Sequence, residues 1–260
     1  MRWLLPACLS LSLLGGCFAD RGDLLSEANA AGRSPAAEPA PPARPALAQP
    51  DPAVTPESFA TQAIASRRDL AELFHALTGA PVDAAKETAD APAIRSQHDE
   101  PRRQQAVAQV AAQIAEGARR IAADPRLRYR VVQASAALGP YDVFRKGFPL
   151  QGLGADDRIT FMRGVDLART AADYSLAFSN GADFALLKVE DDATARRIEQ
   201  LRTGTPLALT GSLRVSLFVQ DAAIGPGAGQ LIAHVLRVDL VDSNKALLAS
   251  SAPRGGPLLR

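Results

Sequence analysis

Cysteine is almost missing. The 260-residue chain has two, Cys8 and Cys17, and none beyond residue 17. The rest of the chain therefore has no disulfide framework and no thiolate to serve as nucleophile or metal ligand. Histidine is scarce as well: His75, His98 and His234 stand far apart and do not make a zinc set. Charge of one sign is lacking, since 29 Lys and Arg against 28 Asp and Glu leave a formal +1. Nucleic-acid binding calls for a clustered basic excess, so that partner is not expected. No Gly-x-Ser-x-Gly elbow, His-Glu-x-x-His, Walker loop or Ser-x-x-Lys occurs. No cofactor or metal follows from any motif. A carboxylate pair leaves no linear motif, so that one chemistry stays open.

Aliphatic residues arranged at strand period are plentiful. In Pro206 to Val219, PLALTGSLRVSLFV, one parity carries Leu207, Leu209, Leu213, Val215, Leu217 and Val219. The other parity carries Thr210, Ser212, Arg214 and Ser216, with Ala208 and Phe218 among them. Side chains alternate across a strand, so one face is buried and the other mostly wet, which suits an antiparallel sheet. Straight, the run would span roughly 45 Å, which is long for a strand. Gly211 interrupts the apolar row and predicts a bend, as in a barrel or a strand crossing between sheets. The other reading is a turn at Gly211 between two short strands.

The beginning of the chain reads differently. MRWLLPACLSLSLLGGC has a basic start at Arg2 and an apolar run from Trp3 to Leu14. The run is too short for a permanent bilayer span but fits a signal-peptide core. Leu14-Gly15-Gly16-Cys17 resembles the lipobox of bacterial lipoprotein precursors, a resemblance confined to the first 17 residues. It implies cleavage before Cys17, a diacylglycerol on its sulfur and an acylated amine, hence a stable membrane anchor. Phe18 stands where, in that family, an Asp tends to retain the protein in the inner membrane, so the outer membrane is implied. Ordinary signal-peptide cleavage after Ala19 is the rival reading and would leave a soluble secreted or periplasmic domain. On the lipobox reading 1–16 is the signal peptide, and 17–55 is the lipidated cysteine with a Pro/Ala-rich linker. Eight prolines fall between Pro35 and Pro56, and such a segment gains too little from burial to offset its ordering entropy. It reads as a semi-rigid spacer that holds the head off the membrane.

Residues 56–125 form a helical segment. Thr55-Pro56-Glu57 suits a helix start, Phe59 to Leu77 recur at helical spacing, and Gly79 suits a stop. His75 borders that apolar stripe. A polar, alanine-rich connection follows, with His98 solvated in it. A second helix runs from Pro101 to about Ala123, with Val107, Val110, Ile114 and Ile121 as a narrow seam and Gly117 at the missing place. Packing against the first helix is the favoured reading over contact with anionic lipid.

Residues 126–251 form a β-rich segment. Arg126 to Val132 alternates, and its arginines suit a protected edge strand. Tyr141 to Leu150 is an irregular strand and Arg158 to Arg163 a short one. Asn180-Gly181, between two apolar runs, predicts a two-residue hairpin. Glu190-Asp191-Asp192 opens a short helix ending near Arg202; the acids lack the spacing of a calcium loop and read as capping. Asp221 to Gln230 is a glycine-rich connection. The apolar parity of Leu231 to Val241 switches between Val235 and Leu236, predicting a β-bulge beside His234. Asp242 to Lys245 turns the chain into a last strand, Ala246 to Ser250, and 252–260 reads as a flexible tail.

The expected fold is α+β: two helices, then a mostly antiparallel bent β-sheet or small barrel with one inserted short helix. The expected function is an outer-membrane-anchored lipoprotein. It would meet the membrane through Cys17 and act as a non-catalytic binding or assembly module with an envelope protein partner. The alternatives are a small-molecule or lipid-binding barrel, and an envelope hydrolase using a carboxylate pair.

Overall fold

A computed structural model describes residues 46–89, 91–135, 137–153, 158–159, 174–204, 211–224 and 229–253. The lipobox and Cys17, the linker up to residue 45, residues 160–163 and 206–210, the 225–228 loop and the tail from 254 lie outside these residues.

The fold is α+β. Helix α1 (Arg67–Thr78) begins at Ser66, whose hydroxyl accepts from the Asp69 amide while the Asp69 carboxylate accepts from the Ser66 amide. This reciprocal capping box sets the start, and Gly79, at φ +66°, sets the stop. The helix expected to run unbroken from Thr55 is thus divided. Pro56–Phe59 is a single 3-10 turn, and 62–64 runs extended along a strand. There Ile64 N–H donates to Val131 C=O at 2.8 Å, and Val131 N–H to Gln62 C=O at 2.9 Å. Two short helices, α2 (Ala84–Thr88) and α3 (Pro92–Arg95), occupy the connection read as loop. Helix α4 (Glu100–Ala123) is capped by Asp99 and ends at Asp124. It packs on α1 along the expected seam. At Gly117 an added Cβ would lie 2.1 Å from the Glu72 carboxyl carbon, so the gap in the seam seats a side chain of α1.

The strands are β1 (Tyr129–Ser135), β2 (Gly147–Pro149), β3 (Arg158–Ile159), β4 (Tyr174–Phe178), β5 (Leu186–Lys188), β6 (Gly211–Ile224), β7 (Gly229–Asp242) and β8 (Leu247–Ser251). The inserted helix is α5 (Asp192–Gly204). The main sheet has the order β1-β6-β7-β4-β3, with β8 also on β7, and β2 pairs β5 in a second small sheet. All pairings are antiparallel except β4 with β7. Of the two forms expected, the sheet is open rather than a barrel: its ends, β1 and β3, do not pair with each other among the described residues.

Strand β7 organises the sheet together with β6. The bulge falls where the parity switch puts it. Ser216 faces Arg237 and Leu217 faces Val235, leaving Leu236 as the extra residue. A second shift leaves Gln220 extra on β6. Beyond Val219 the chain stays in strand to Ile224, so the connection read from Asp221 begins later.

One face of the sheet carries the expected aliphatic row. Leu213, Val215, Leu217 and Val219 join Leu231, Val235, Val238 and Leu240, with Leu70, Leu73, Phe74, Ile114 and Ile121 from the helices, in a continuous core. The opposite face is wet only in part. Near Phe218 it is covered by the stretch from Ala46 to Phe59, the end of the segment read as linker. Phe59, Tyr129, Val131 and Phe218 form a second cluster with Ala48, Val54 and Leu236 against it. Asp51 N–H donates to the Tyr129 hydroxyl at 2.6 Å, and Gln220 Nε2 donates to Ala48 C=O at 2.8 Å. Prolines 50, 52 and 56 thus belong to a strap held by aromatic burial, which composition alone does not register.

Asn180-Gly181 does not form the expected hairpin. Strand β4 lies in the main sheet and β5 in the small one, joined by a 3-10 turn, Gly181–Phe184. Asn180 has φ −126°, not the positive value a primed turn requires. Glycine is needed at 181 for another reason: a Cβ there would lie 1.5 Å from the Leu153 carbonyl oxygen.

Candidate functional site

Three polar centres stand out in the described head: buried Glu87, buried Asp239 and partly buried His234. Glu87 is carried inward on α2. Asp83 fixes that helix by accepting the Ala85 and Lys86 amides at 3.0 and 3.2 Å. The Glu87 side chain is 1% exposed. Arg67 Nη1 donates to Glu87 Oε2 at 2.8 Å and to the Glu87 backbone carbonyl at 2.7 Å. The Tyr174 hydroxyl donates to Oε1 at 2.6 Å. His75 Nε2 stands 3.7 Å from Oε1, while its Nδ1 meets the Ala80 carbonyl at 2.9 Å. That carbonyl can only accept, so Nδ1 carries a proton. The Arg67 guanidinium also lies 5.4 Å above the Tyr174 ring. Close packing is built in: a Cβ on Gly229 would come within 2.8 Å of both the Phe74 and Tyr174 rings. Glu87 therefore ties α1, α2 and β4 together through charge-assisted bonds. Both of its oxygens are taken by donors of the same chain, which leaves neither open to a substrate.

Asp239 forms the second centre, on the other face of the sheet. Its side chain is also 1% exposed. Arg214 gives Oδ2 two hydrogen bonds, 2.8 Å from Nη2 and 3.1 Å from Nε. Ser250 Oγ donates to Oδ1 at 2.7 Å, and Arg237 Nε lies 3.1 Å from the same oxygen. Arg237 continues to Glu57 of the strap, whose pKa its hydrogen bond holds below the ordinary carboxylate value. Asp239 thereby links β6, β7, β8 and the strap.

His234 is the third. Asn180 Oδ1 accepts from Val235 N–H at 2.8 Å, and Nδ2 donates to Val235 C=O at 2.9 Å, which fixes the amide's orientation. Nδ2 also stands 3.3 Å from His234 Nε2, so that nitrogen accepts and the ring is neutral. Burial pushes the His234 pKa down, opposed by the charge of Asp183. Asn180 spans the part of β7 between its pairings with β4 and β8, where the backbone of Val235 has no strand on that side.

The chain matches no family model, no curated protein and no solved structure.

The other expectations fall out as follows. His98 is exposed. Asp191 caps α5, accepting the Thr194 amide at 2.7 Å, and its pKa is lowered chiefly by the Thr194 side chain. The stretch Arg126 to Val132 does lead into an end strand, β1. Arg128 stands just before it, beside the carbonyls of β6 that β1 does not pair. Its guanidinium lies 4.7 Å over the Phe218 ring, and its Nε donates to Val219 C=O at 2.8 Å. No three His, Asp or Glu among the described residues are placed to hold a metal. No helix among them is long and apolar enough to cross a membrane. A surface groove of about 320 Å³ lies between α2 and α4, lined by Ala84, Ala85, Val107, Ala108 and others. The Glu87 centre was missed because Arg67 and Tyr174 lie 20 and 87 residues from Glu87 and each is ordinary in its own stretch.

Proposed function

We propose that this chain is a bacterial envelope lipoprotein, anchored to the outer membrane by lipid on Cys17, whose head binds or assembles with another envelope protein and does no chemistry of its own. The supporting observation is the way the head uses its polar groups. Glu87 and Asp239 are each closed by arginine and hydroxyl donors from within the chain. A carboxylate-pair hydrolase needs acids that face a substrate, and these face their own counter-ions. A ligand-binding barrel needs an apolar cavity under its strands. Here that space is taken by Leu73, Phe74, Leu217 and Val235. A packed, rigid head on a proline-rich tether suits binding at a fixed reach from a membrane.

The experiment is Cys17→Ser in the full chain, followed by fractionation and by crosslinking in intact envelopes. The parent is expected in the membrane fraction, crosslinked to one reproducible protein. The variant is expected to lose membrane retention. Unchanged retention, or the absence of any reproducible crosslink, contradicts the proposal.

A further inference from the structure

We propose that the turn Val143-Phe144-Arg145-Lys146 is a second membrane contact, which inserts into the interface of an anionic phospholipid surface. This goes beyond the anchor reading and does not depend on Cys17.

Phe144 is 96% exposed and Val143 67%, the two most apolar residues of one four-residue tip. The next two residues, Arg145 and Lys146, are exposed cations that form no ion pair among the described residues. The tip is held open by its base. Asp142 N–H donates to Gly147 C=O at 2.8 Å, and the Asp142 carboxylate accepts the Phe144 and Arg145 amides at 3.0 Å each. Lys146 takes a left-handed φ of +49°. Gly147 fits because a Cβ there would meet the Leu187 carbonyl oxygen at 2.6 Å. Below it, Tyr141 packs at a tilt on buried Phe148 with ring centroids 5.1 Å apart and donates to Val189 C=O. An exposed phenyl that collapsed onto its own fold would need no such frame. This one is presented outward on a turn whose Phe144 and Arg145 amides are already satisfied.

The chemistry of the tip selects its occupant. Four side chains are too few to build a stable protein interface, which needs roughly 800 Å² from each partner. A membrane interface needs only an aromatic and an aliphatic side chain seated at the acyl boundary, with cations at headgroup level. Arg145 and Lys146 have flexible stems, so both can reach anionic phosphates while Phe144 points deeper. The adjacent acid, Asp142, is occupied by turn amides and points its charge inward to them.

The test uses the chain from residue 17 on, the mature form under the anchor reading, with Cys17→Ser. Neither the apolar run Trp3 to Leu14 nor an acyl anchor then contributes. Trp3 is the only tryptophan and leaves with residues 1–16; Phe144→Trp therefore puts a single indole at the tip. With phosphatidylglycerol vesicles the emission is expected to shift to the blue and to be quenched by brominated acyl chains. With phosphatidylcholine vesicles it should stay as in buffer. In sedimentation with anionic vesicles, Phe144→Ser is expected to lower the partition about tenfold or more. Arg145→Ser with Lys146→Ser should lower it about thirtyfold at low salt. All these side chains are exposed, so circular dichroism should show an intact fold in each variant. An indole that stays water-like with every vesicle overturns the proposal, as does a Phe144→Ser chain that sediments like its parent. Because the readout is local to residue 144, its failure is distinct from failure of the Cys17 anchor.

Discussion

Glu87 shows what a single buried charge does in this head. Its carboxylate is the common acceptor for Arg67 and Tyr174. Glu87→Ala leaves the largely buried guanidinium without this counter-charge. Breaking a buried pair from one side costs about 3–5 kcal/mol. Urea denaturation of the variant should show a loss of that order, and a loss under about 1 kcal/mol would mean the centre is ornamental. His234 makes the opposite kind of statement. Its folded pKa lies below the ordinary value of 6.5 because burial disfavours the charged ring. The unfolded chain therefore takes up the proton first on acidification. Stability is full above about 6.5 and falls as pH drops below that value toward the folded pKa. His234→Gln should flatten this part of the pH–stability curve. An unchanged slope would assign it to the carboxylates instead.

At the scale of elements, caps decide boundaries. Ser66 and Asp69 close the capping box that starts α1, so Ser66→Ala should cost about 1 kcal/mol. Thermal unfolding measures it, and no change in Tm would leave the break before α1 without its cause. The pair was present in the sequence, yet the apolar spacing from Phe59 onward masked it by offering one longer helix. Other features could be read correctly from local pattern. The α4 limits follow from Pro101 and Asp124-Pro125, and the Leu236 bulge from a change of parity. Asn180-Gly181 could not, because its turn chemistry is local while its true use is remote. Asn180 completes the Val235 ladder, and Gly181 makes room for Leu153. The Arg67–Glu87–Tyr174 centre was illegible for the same reason: the contacts span long stretches of chain and no periodicity marks them.

On the scale of the whole molecule, sequence composition and packing divide the chain at different places. Composition carries the proline-rich linker to residue 55, while the described head starts at Ala46 with the strap on Tyr129 and Phe218. The strap itself lies on the sheet face that bears Asp239, with Glu57 on Arg237. The account of function rests on lipid at Cys17, and mass spectrometry of the intact protein extracted from membranes tests it most directly. The account predicts a chain that starts at Cys17 and carries the mass of a diacylglyceryl group plus an amide-linked acyl chain. An unmodified chain that starts at Asp20, after cleavage behind Ala19, would contradict it.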